Sequence, residues 1–413
     1  MVQGINKISR QIIGKRLLIT LLIILVIRIG SFLPIPGIDH VELALYIGAN
    51  PLARNLVSTF SGNNTFVLGL FTLNIFPFIN ASIFLQLFIA FSPALSKLQK
   101  EGDLNARRNL NRLTRLVTVI WAIIQSVGIG LYLRQVLFNW SIVLLLKTVV
   151  WLTTGSFIVL FLSELITEYG LGNGASLLVY INIISNLPNL YKIVIQDNLN
   201  IQNVSLTICS ILFGFLILGT IYLQEGTRKI NLLSSKQLNQ TQSNNLFSTN
   251  NYLPLKLNQA GVMPIILTST ILVLPNYLSN IGILPTLDFA FVSKTLYWIS
   301  YFSLIFIFSS FYATIVLNPK DISDQLQKMA VTVPGVRPGV QTTFYLKKVM
   351  QRLTLIGALL LAVLATFPNF VEIVLNTSSL SGISTTSLLI MTGVLVDISK
   401  EIEDIVYSNI YKN

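Results

Sequence analysis

The sequence predicts an all-α polytopic membrane protein, with ten transmembrane helices in two inverted five-helix halves. Three observations predict it. Hydrophobic residues fill 53% of the 413 positions and charged residues only 11%, whereas a soluble chain carries about a quarter charged residues. Apolar runs of about 20 residues, long enough to cross a bilayer as helices, recur from end to end. The 28 Lys and Arg residues collect in alternate loops, as the positive-inside rule requires of a membrane protein.

The spans fall at residues 17–33, 75–91, 116–133, 141–162, 175–195, 204–223, 261–278, 296–317, 353–370 and 387–398. The last is short and extends back toward Leu380. An N-terminal half, 1–203, holds spans one to five, and a C-terminal half, 204–413, holds spans six to ten with two long loops at 225–258 and 318–348. The basic stretch 1–16 precedes the first span. That span ends in Pro34-Ile35-Pro36-Gly37 rather than a small-residue cleavage pattern, so it reads as a retained helix. Ile5, Ile8, Ile12 and Ile13 share one helical face, with Lys7, Arg10, Lys15 and Arg16 interspersed. A short helix lying along an anionic membrane surface fits this pattern, and so does a disordered basic tail.

Charge position fixes the expected orientation. Over the N-terminus, the loops after spans two, six and eight, and the C-terminus, 22 Lys and Arg share one side. Only Arg54, Arg134, Lys192 and Lys294 fall opposite. Both termini are therefore expected to face the compartment of synthesis. Arg28 and Lys147 lie within spans, near their far ends, where snorkelling avoids an insertion cost of about 3 kcal/mol. A buried functional charge is the other reading. The only cysteine is Cys209 and the only histidine His40, so an internal disulfide and a His/Cys metal cluster are both excluded. No cofactor is expected. The spans offer no nucleophile–base pair, which argues against an intramembrane enzyme, and no facing Asp/Glu/His set for a proton relay.

The two halves echo each other. Spans two and seven both open on a proline, in Asn74-Ile75-Phe76-Pro77 and Gly261-Val262-Met263-Pro264. Spans five and ten carry Ala175-Ser176-Leu177-Leu178-Val179 and Thr386-Ser387-Leu388-Leu389-Ile390. Each pair runs in opposite directions by the span count, as an inverted repeat requires, and such symmetry places a pathway between the halves near the midplane. A secondary transporter of a small solute is built on the same logic and stands as the alternative function. It would need convergent polar groups at mid-depth, where this chain has aliphatic residues.

Some connecting segments are too particular to be linkers. Residues 98–109 include Lys100, Arg107 and Arg108, and Val333-Pro334-Gly335-Val336-Arg337-Pro338-Gly339 holds Arg337 between two Pro-Gly units. Stiff turns displaying arginine suit an acidic or RNA-containing partner, and positive-inside charges on solvated loops give the same pattern. Residues 239–251 are rich in Asn, Gln, Ser and Thr and read as a low-complexity insertion without chemistry. Residues 55–70, between the first two spans, are too polar to span yet apolar enough to bury. A re-entrant half-helix and an ordinary loop both fit.

Taken together, these segments resemble the SecY family, the central subunit of the general secretory translocon, over essentially the whole chain. The matching residues run from Arg28-Ile29-Gly30-Ser31-Phe32-Leu33-Pro34-Ile35-Pro36-Gly37-Ile38-Asp39 through Pro77-Phe78-Ile79-Asn80-Ala81-Ser82-Ile83 and residues 99–108. They continue with Glu164-Leu165-Ile166-Thr167-Glu168-Tyr169-Gly170-Leu171-Gly172-Asn173-Gly174-Ala175-Ser176, residues 258–264, Asn318-Pro319-Lys320-Asp321, residues 334–339 and residues 386–397.

The resemblance implies a channel that passes unfolded polypeptides and releases hydrophobic segments laterally into lipid. It implies an aliphatic pore ring of Ile83, Val179, Ile266 and Ile390, with Ile79 and Ala175 a turn away. It implies a plug at about residues 55–70, with Asn55, Leu56, Val57, Phe60, Ser61 and Gly62. Arg107, Arg108, Arg337, Lys347 and Lys348 would dock a ribosome or a SecA-type ATPase motor. Further implied partners are SecE-type and SecG-type small membrane subunits, signal peptides, unfolded precursors and membrane lipid. The chain itself would catalyse nothing. An Asn-, Ile- and Leu-rich composition with modest Ala looks most similar to plastid-encoded algal members. That implies a multi-pass thylakoid protein with both termini in the stroma, or alternatively a bacterial plasma-membrane protein with cytoplasmic termini. The tail 401–413 is short, which weakens any docking role for it.

Overall fold

Apolar runs become helices because backbone facing lipid must satisfy its hydrogen bonds within its own segment. The computed structural model describes residues 2–36, 38, 69–92, 104–133, 141–185, 204–234, 252–259, 261, 263–265, 267–268, 292–316, 318–375 and 385–412. They group into two units, Met1–Leu199 with Val394–Asn413, and Asn200–Gly393.

The first unit contains α1 (Val2–Phe32), α2 (Phe76–Phe91), α3 (Leu104–Leu133), α4 (Ile142–Tyr169) and α5 (Gly174–Ser185). Within it α2 packs on α3, and α4 packs on both α3 and α1. Two of these helices begin well before the sequence-based spans. The basic N-terminal stretch continues without interruption into the first span as one helix of 31 residues, so it is neither a separate surface helix nor a disordered tail. The basic segment after span two is helical from Leu104 onward; Leu110, Leu113 and Val117 keep a helical period, and arginine is a good helix former.

α4 shows how a lipid-facing helix is built. Ser141 caps it, its hydroxyl accepting from the Leu144 amide at 3.2 Å. The buried side carries Thr148, Gly155, Ser156 and Ser163 beside Leu152 and Val159. The outer side exposes Ile142, Val143, Leu146, Val150, Phe157 and Phe161. Small and hydroxyl residues inside with large aliphatics outside reverse the pattern of a soluble protein. They allow close helix packing where lipid already solvates the apolar face. Among the described residues three helical stretches are long and apolar enough to cross a membrane: Arg108–Leu131, Ile142–Tyr169 and Val340–Phe367.

The chain enters α2 through a buried turn. The Leu70 amide donates to Leu33 O at 2.9 Å, and Leu73 and Ile75 are sealed from solvent. Asn74 sits at φ 48°, a left-handed conformation that Asn tolerates better than most residues. Its side chain accepts from the Ile75 amide at 2.9 Å, and its carbonyl accepts from the Ser156 hydroxyl at 3.1 Å. Pro77 then occupies the first turn of α2, where no helical partner for its missing N–H is needed.

The second unit contains α6 (Val204–Glu225), β1 (Thr227–Asn231), β2 (Leu233–Ser234), β3 (Tyr252–Lys256), α7 (Val292–Val316), α8 (Pro319–Lys328), β4 (Val331–Thr332) and α9 (Val340–Leu375). The last helix, α10 (Thr385–Lys412), begins here, and its residues from Val394 onward group with the first unit. α9 packs against α6, α7 and α8. One core gathers Leu223, Ile265, Tyr301, Ile305, Leu361, Ala362 and Ala365.

A second core lies where the sequence suggests only loops. β1 and β3 pair antiparallel, with Thr227 opposite Lys256 and Asn231 opposite Tyr252, and β2 pairs with β4. Ile230 and Leu255 of the ribbon pack with Leu326 of α8, Val333, and Leu346, Val349, Met350 and Leu353 of α9. α8 is well specified locally. Asn318 caps it, accepting from the Lys320 amide at 3.1 Å, Pro319 starts it, and Asp321 and Lys328 oppose the helix dipole at the two ends. Leu346 is fully buried in this core. Leu346→Ala is expected to lower stability by about 2–5 kcal/mol, seen as a lower thermal midpoint in detergent and faster protease cleavage between residues 225 and 258.

Candidate functional site

Helical spacing places the expected pore residues in turn-related pairs. Ile79 and Ile83 lie four residues apart on α2, and Ala175 and Val179 likewise on α5, so each pair shares one face. Ile79, Ile83 and Val179 are buried and Ala175 is half-buried. In the second unit Ile390 lies in the second turn of α10 and is half-buried. Ile266 and the plug residues Asn55, Leu56, Val57, Phe60, Ser61 and Gly62 lie outside the described residues.

The basic positions differ in setting. Arg107 and Arg108 belong to the opening turns of α3 rather than to a loop, and Arg108 is exposed. Arg337 stands exposed between Gly335, at φ 78°, and Gly339, at φ 98°. Both values favour glycine, since a Cβ there clashes with the backbone. The connection is pinned from several directions. The Val336 amide donates to Val333 O at 3.1 Å, the Thr342 hydroxyl to Arg337 O at 2.9 Å, and the Ser323 hydroxyl of α8 to Gly339 O at 3.0 Å. Lys347 and Lys348 are exposed on α9, and Met329, Val340 and Phe344 are exposed nearby in sequence. The result is a rigid basic projection with apolar residues beside it.

Sequence reasoning missed three polar contacts, all in the first unit. The Arg28 guanidinium donates to Ile181 O of α5 at 2.7 Å and also to the Ser185 hydroxyl. The charge is thus bonded to a neighbouring helix and does not snorkel. Lys147 is exposed. Arg115 of α3 and Glu164 of α4 form a two-pronged ion pair at 3.0 and 2.7 Å. Glu401 of α10 accepts from the Gly172 amide at 2.6 Å. A lone arginine inside an apolar run was the available signal for the first. The other two join residues far apart in sequence and have no local signal. Arg28→Ala is expected to destabilise the first unit by about 1.5–3 kcal/mol, the usual worth of hydrogen bonds to a charged group. A thermal melt in detergent checks it.

Known proteins resemble this chain along nearly its full length. A family model described as SecY matches residues 69–399. The protein translocase subunit SecY of Trieres chinensis is 54% identical over 410 residues, covering 96% of this chain and 96% of the relative. Two solved structures share the fold. One is a SecY whose plug domain is described as stabilising the closed state of the translocation channel and maintaining a membrane seal. It has TM-score 0.68 and 16% identity, covering 96% of this chain and 93% of that one. The other is Sec61 in the canine ribosome–channel complex, with TM-score 0.61 and 17% identity, covering 96% and 93%. The match in sequence runs through both halves of the chain, and the helical architecture follows it: the chain belongs to the SecY family.

Proposed function

We infer that this chain is the channel-forming subunit of a Sec protein translocase. Unfolded polypeptides pass through it across the membrane. The observation that carries the reading is a family match along nearly the full length. A small-solute transporter, the alternative left open by the repeat, is set aside. The relatives are translocase subunits, and the repeat-related positions carry Ile83, Val179 and Ile390 where a transporter would need convergent polar groups.

The finer reading is built on this. Ile79, Ile83, Ala175, Val179, Ile266 and Ile390 form an aliphatic constriction between the halves 1–203 and 204–413. Such side chains offer no ligands to ions, a narrow apolar passage dewets, and flexible aliphatics can yield to an extended chain without gripping it. Residues 55–70 act as a plug, and spans two and three part from seven and eight to release apolar segments into lipid, where their burial is favourable. The ribosome and a SecA-type motor dock at Arg107, Arg108, Arg337, Lys347 and Lys348, and the partner rather than this chain supplies the energy. SecE-type and SecG-type subunits complete the complex. The membrane is the plastid thylakoid with both termini in the stroma, which the charge distribution and the composition support.

Depletion of the chain tests the channel reading. Transport of a precursor bearing a Sec signal is expected to stop while uptake of small solutes continues. Continued precursor transport with solute uptake lost would overturn it.

A further inference from the structure

The turn between α4 and α5 is assembled from local and distant groups. Gly170 closes α4, its amide donating to Ile166 O at 2.8 Å. The Thr167 hydroxyl accepts from the Gly174 amide at 2.9 Å, and Asn173 Oδ1 accepts from the Ala175 amide at 3.0 Å. Those bonds are made within the turn's own sequence. Gly172 is different. It sits at φ 78°, and its amide donates to Glu401 Oε2, more than two hundred residues further along the chain, at 2.6 Å. A short bond to a carboxylate is charge-assisted and about twice as strong as a neutral one. Ile398, one turn before Glu401, approaches to 3.2 Å of where a Cβ on Gly172 would stand. The other carboxylate oxygen lies 3.8 Å from Arg16 of α1. One side chain of α10 thus meets both the α4–α5 turn and α1.

The turn decides where α5 begins. α5 carries Ala175 and Val179, three and seven residues beyond Gly172. At 1.5 Å of rise per residue, Val179 stands roughly 7.5 Å along the helix from its start at Gly174. A shift of the turn therefore shifts both side chains with it.

We propose that Glu401 is a positioning residue of the closed channel: its carboxylate holds the α4–α5 turn through the Gly172 amide and thereby sets the placement of Ala175 and Val179. The inference rests on the channel reading above. The Gly172 hydrogen bond supplies the hold. The pair with Arg16 is longer and half-exposed, and such pairs contribute little. α10, which also bears Ile390, thus acts on the seal a second time from its distal end.

The test uses the full chain in its own translocase, reconstituted in vesicles, with resting ion leak scaled to the amount of channel inserted. Glu401→Ala is expected to raise leak roughly tenfold, equivalent to one decade in a rate. Glu401→Gln keeps an oxygen for Gly172 and should restore tightness, and Arg16→Ala should stay tight. A merely structural role would lower the amount inserted and leave the scaled leak unchanged. Thr167→Val loosens the same turn from within α4 and should also leak, so the proposal stays testable even if Glu401→Ala does not accumulate. Val179→Asn serves as reference. If it leaks while Glu401→Ala and Thr167→Val stay tight, the positioning role is overturned and the channel reading survives. If Val179→Asn is tight as well, the channel reading itself falls. If Glu401→Gln and Arg16→Ala both leak like Glu401→Ala, the charge pair is responsible and the hydrogen-bond account is wrong.

Discussion

Ile390→Asn is expected to make the resting channel leak ions and to let precursors with defective signals through, and Ile83→Asn should do the same. The physical reason is hydration. A ring of aliphatic side chains keeps water out because nothing in it replaces water's hydrogen bonds. An amide supplies those bonds. An unpaired amide in apolar surroundings costs about 1–3 kcal/mol, so water is drawn in to satisfy it. A barrier lowered by that amount corresponds to a leak raised about 5- to 160-fold. The same loss favours the open state, so a weak signal suffices to open the channel. Ile83 is 4% exposed, so its variant also loses packing. Ile390 is only half-buried and gives the cleaner reading. Conductance measured across planar bilayers, alongside export of a signal-defective precursor, checks both. Unchanged conductance in both variants would contradict a seal at these positions.

Arg337→Glu should abolish motor-driven export while the chain remains inserted and folded. Arg337 is exposed, and its turn is held by backbone and hydroxyl contacts from Val333, Ser323 and Thr342. Reversing its charge therefore leaves the projection in place. What changes is the partner's side of the interface. Breaking a close, hydrogen-bonded charge pair costs about 2–5 kcal/mol, or about 30- to several-thousand-fold in affinity. Opposing like charges add repulsion. Binding of the motor to vesicles containing the variant, compared with total insertion, separates docking from folding. Export at the parent rate would remove Arg337 from the docking surface.

The membrane helices were legible because their signal is local. Runs such as 141–162 declare themselves by length and composition, and Ser141 and Pro77 mark helix starts by their chemistry. The ribbon was not legible. β1 buries a single residue, Ile230, and β3 buries Leu255. One buried position per strand leaves no alternation to detect, and the polar segment 239–251 separates the partners. The start of α3 was hidden by its charges, which read as loop until Leu110, Leu113 and Val117 are set on a helix. The proposed pore positions rest on the family resemblance, since Ile83 or Val179 alone is indistinguishable from packing. Arg28 bonded to Ile181, and Glu401 to Gly172, required the fold itself.

The small core shared by β1, β3, α8 and α9 has a consequence for how the protein is made. Ile230 and Leu255 have left the ribosome long before Leu346 and Leu353 are synthesised. The gap from Lys256 to Leu353 is roughly 100 residues, or about 5–20 seconds of translation at ordinary rates. Throughout that interval the two strands can pair, but their apolar side has no cover. The basic projection around Arg337 takes shape only once α9 closes over them. On the docking role proposed for Arg337, a nascent channel would recruit no partner through this surface until its ninth span is being delivered to the membrane. By then eight of the ten spans would already have been handed over, and half-built channels would be spared premature engagement.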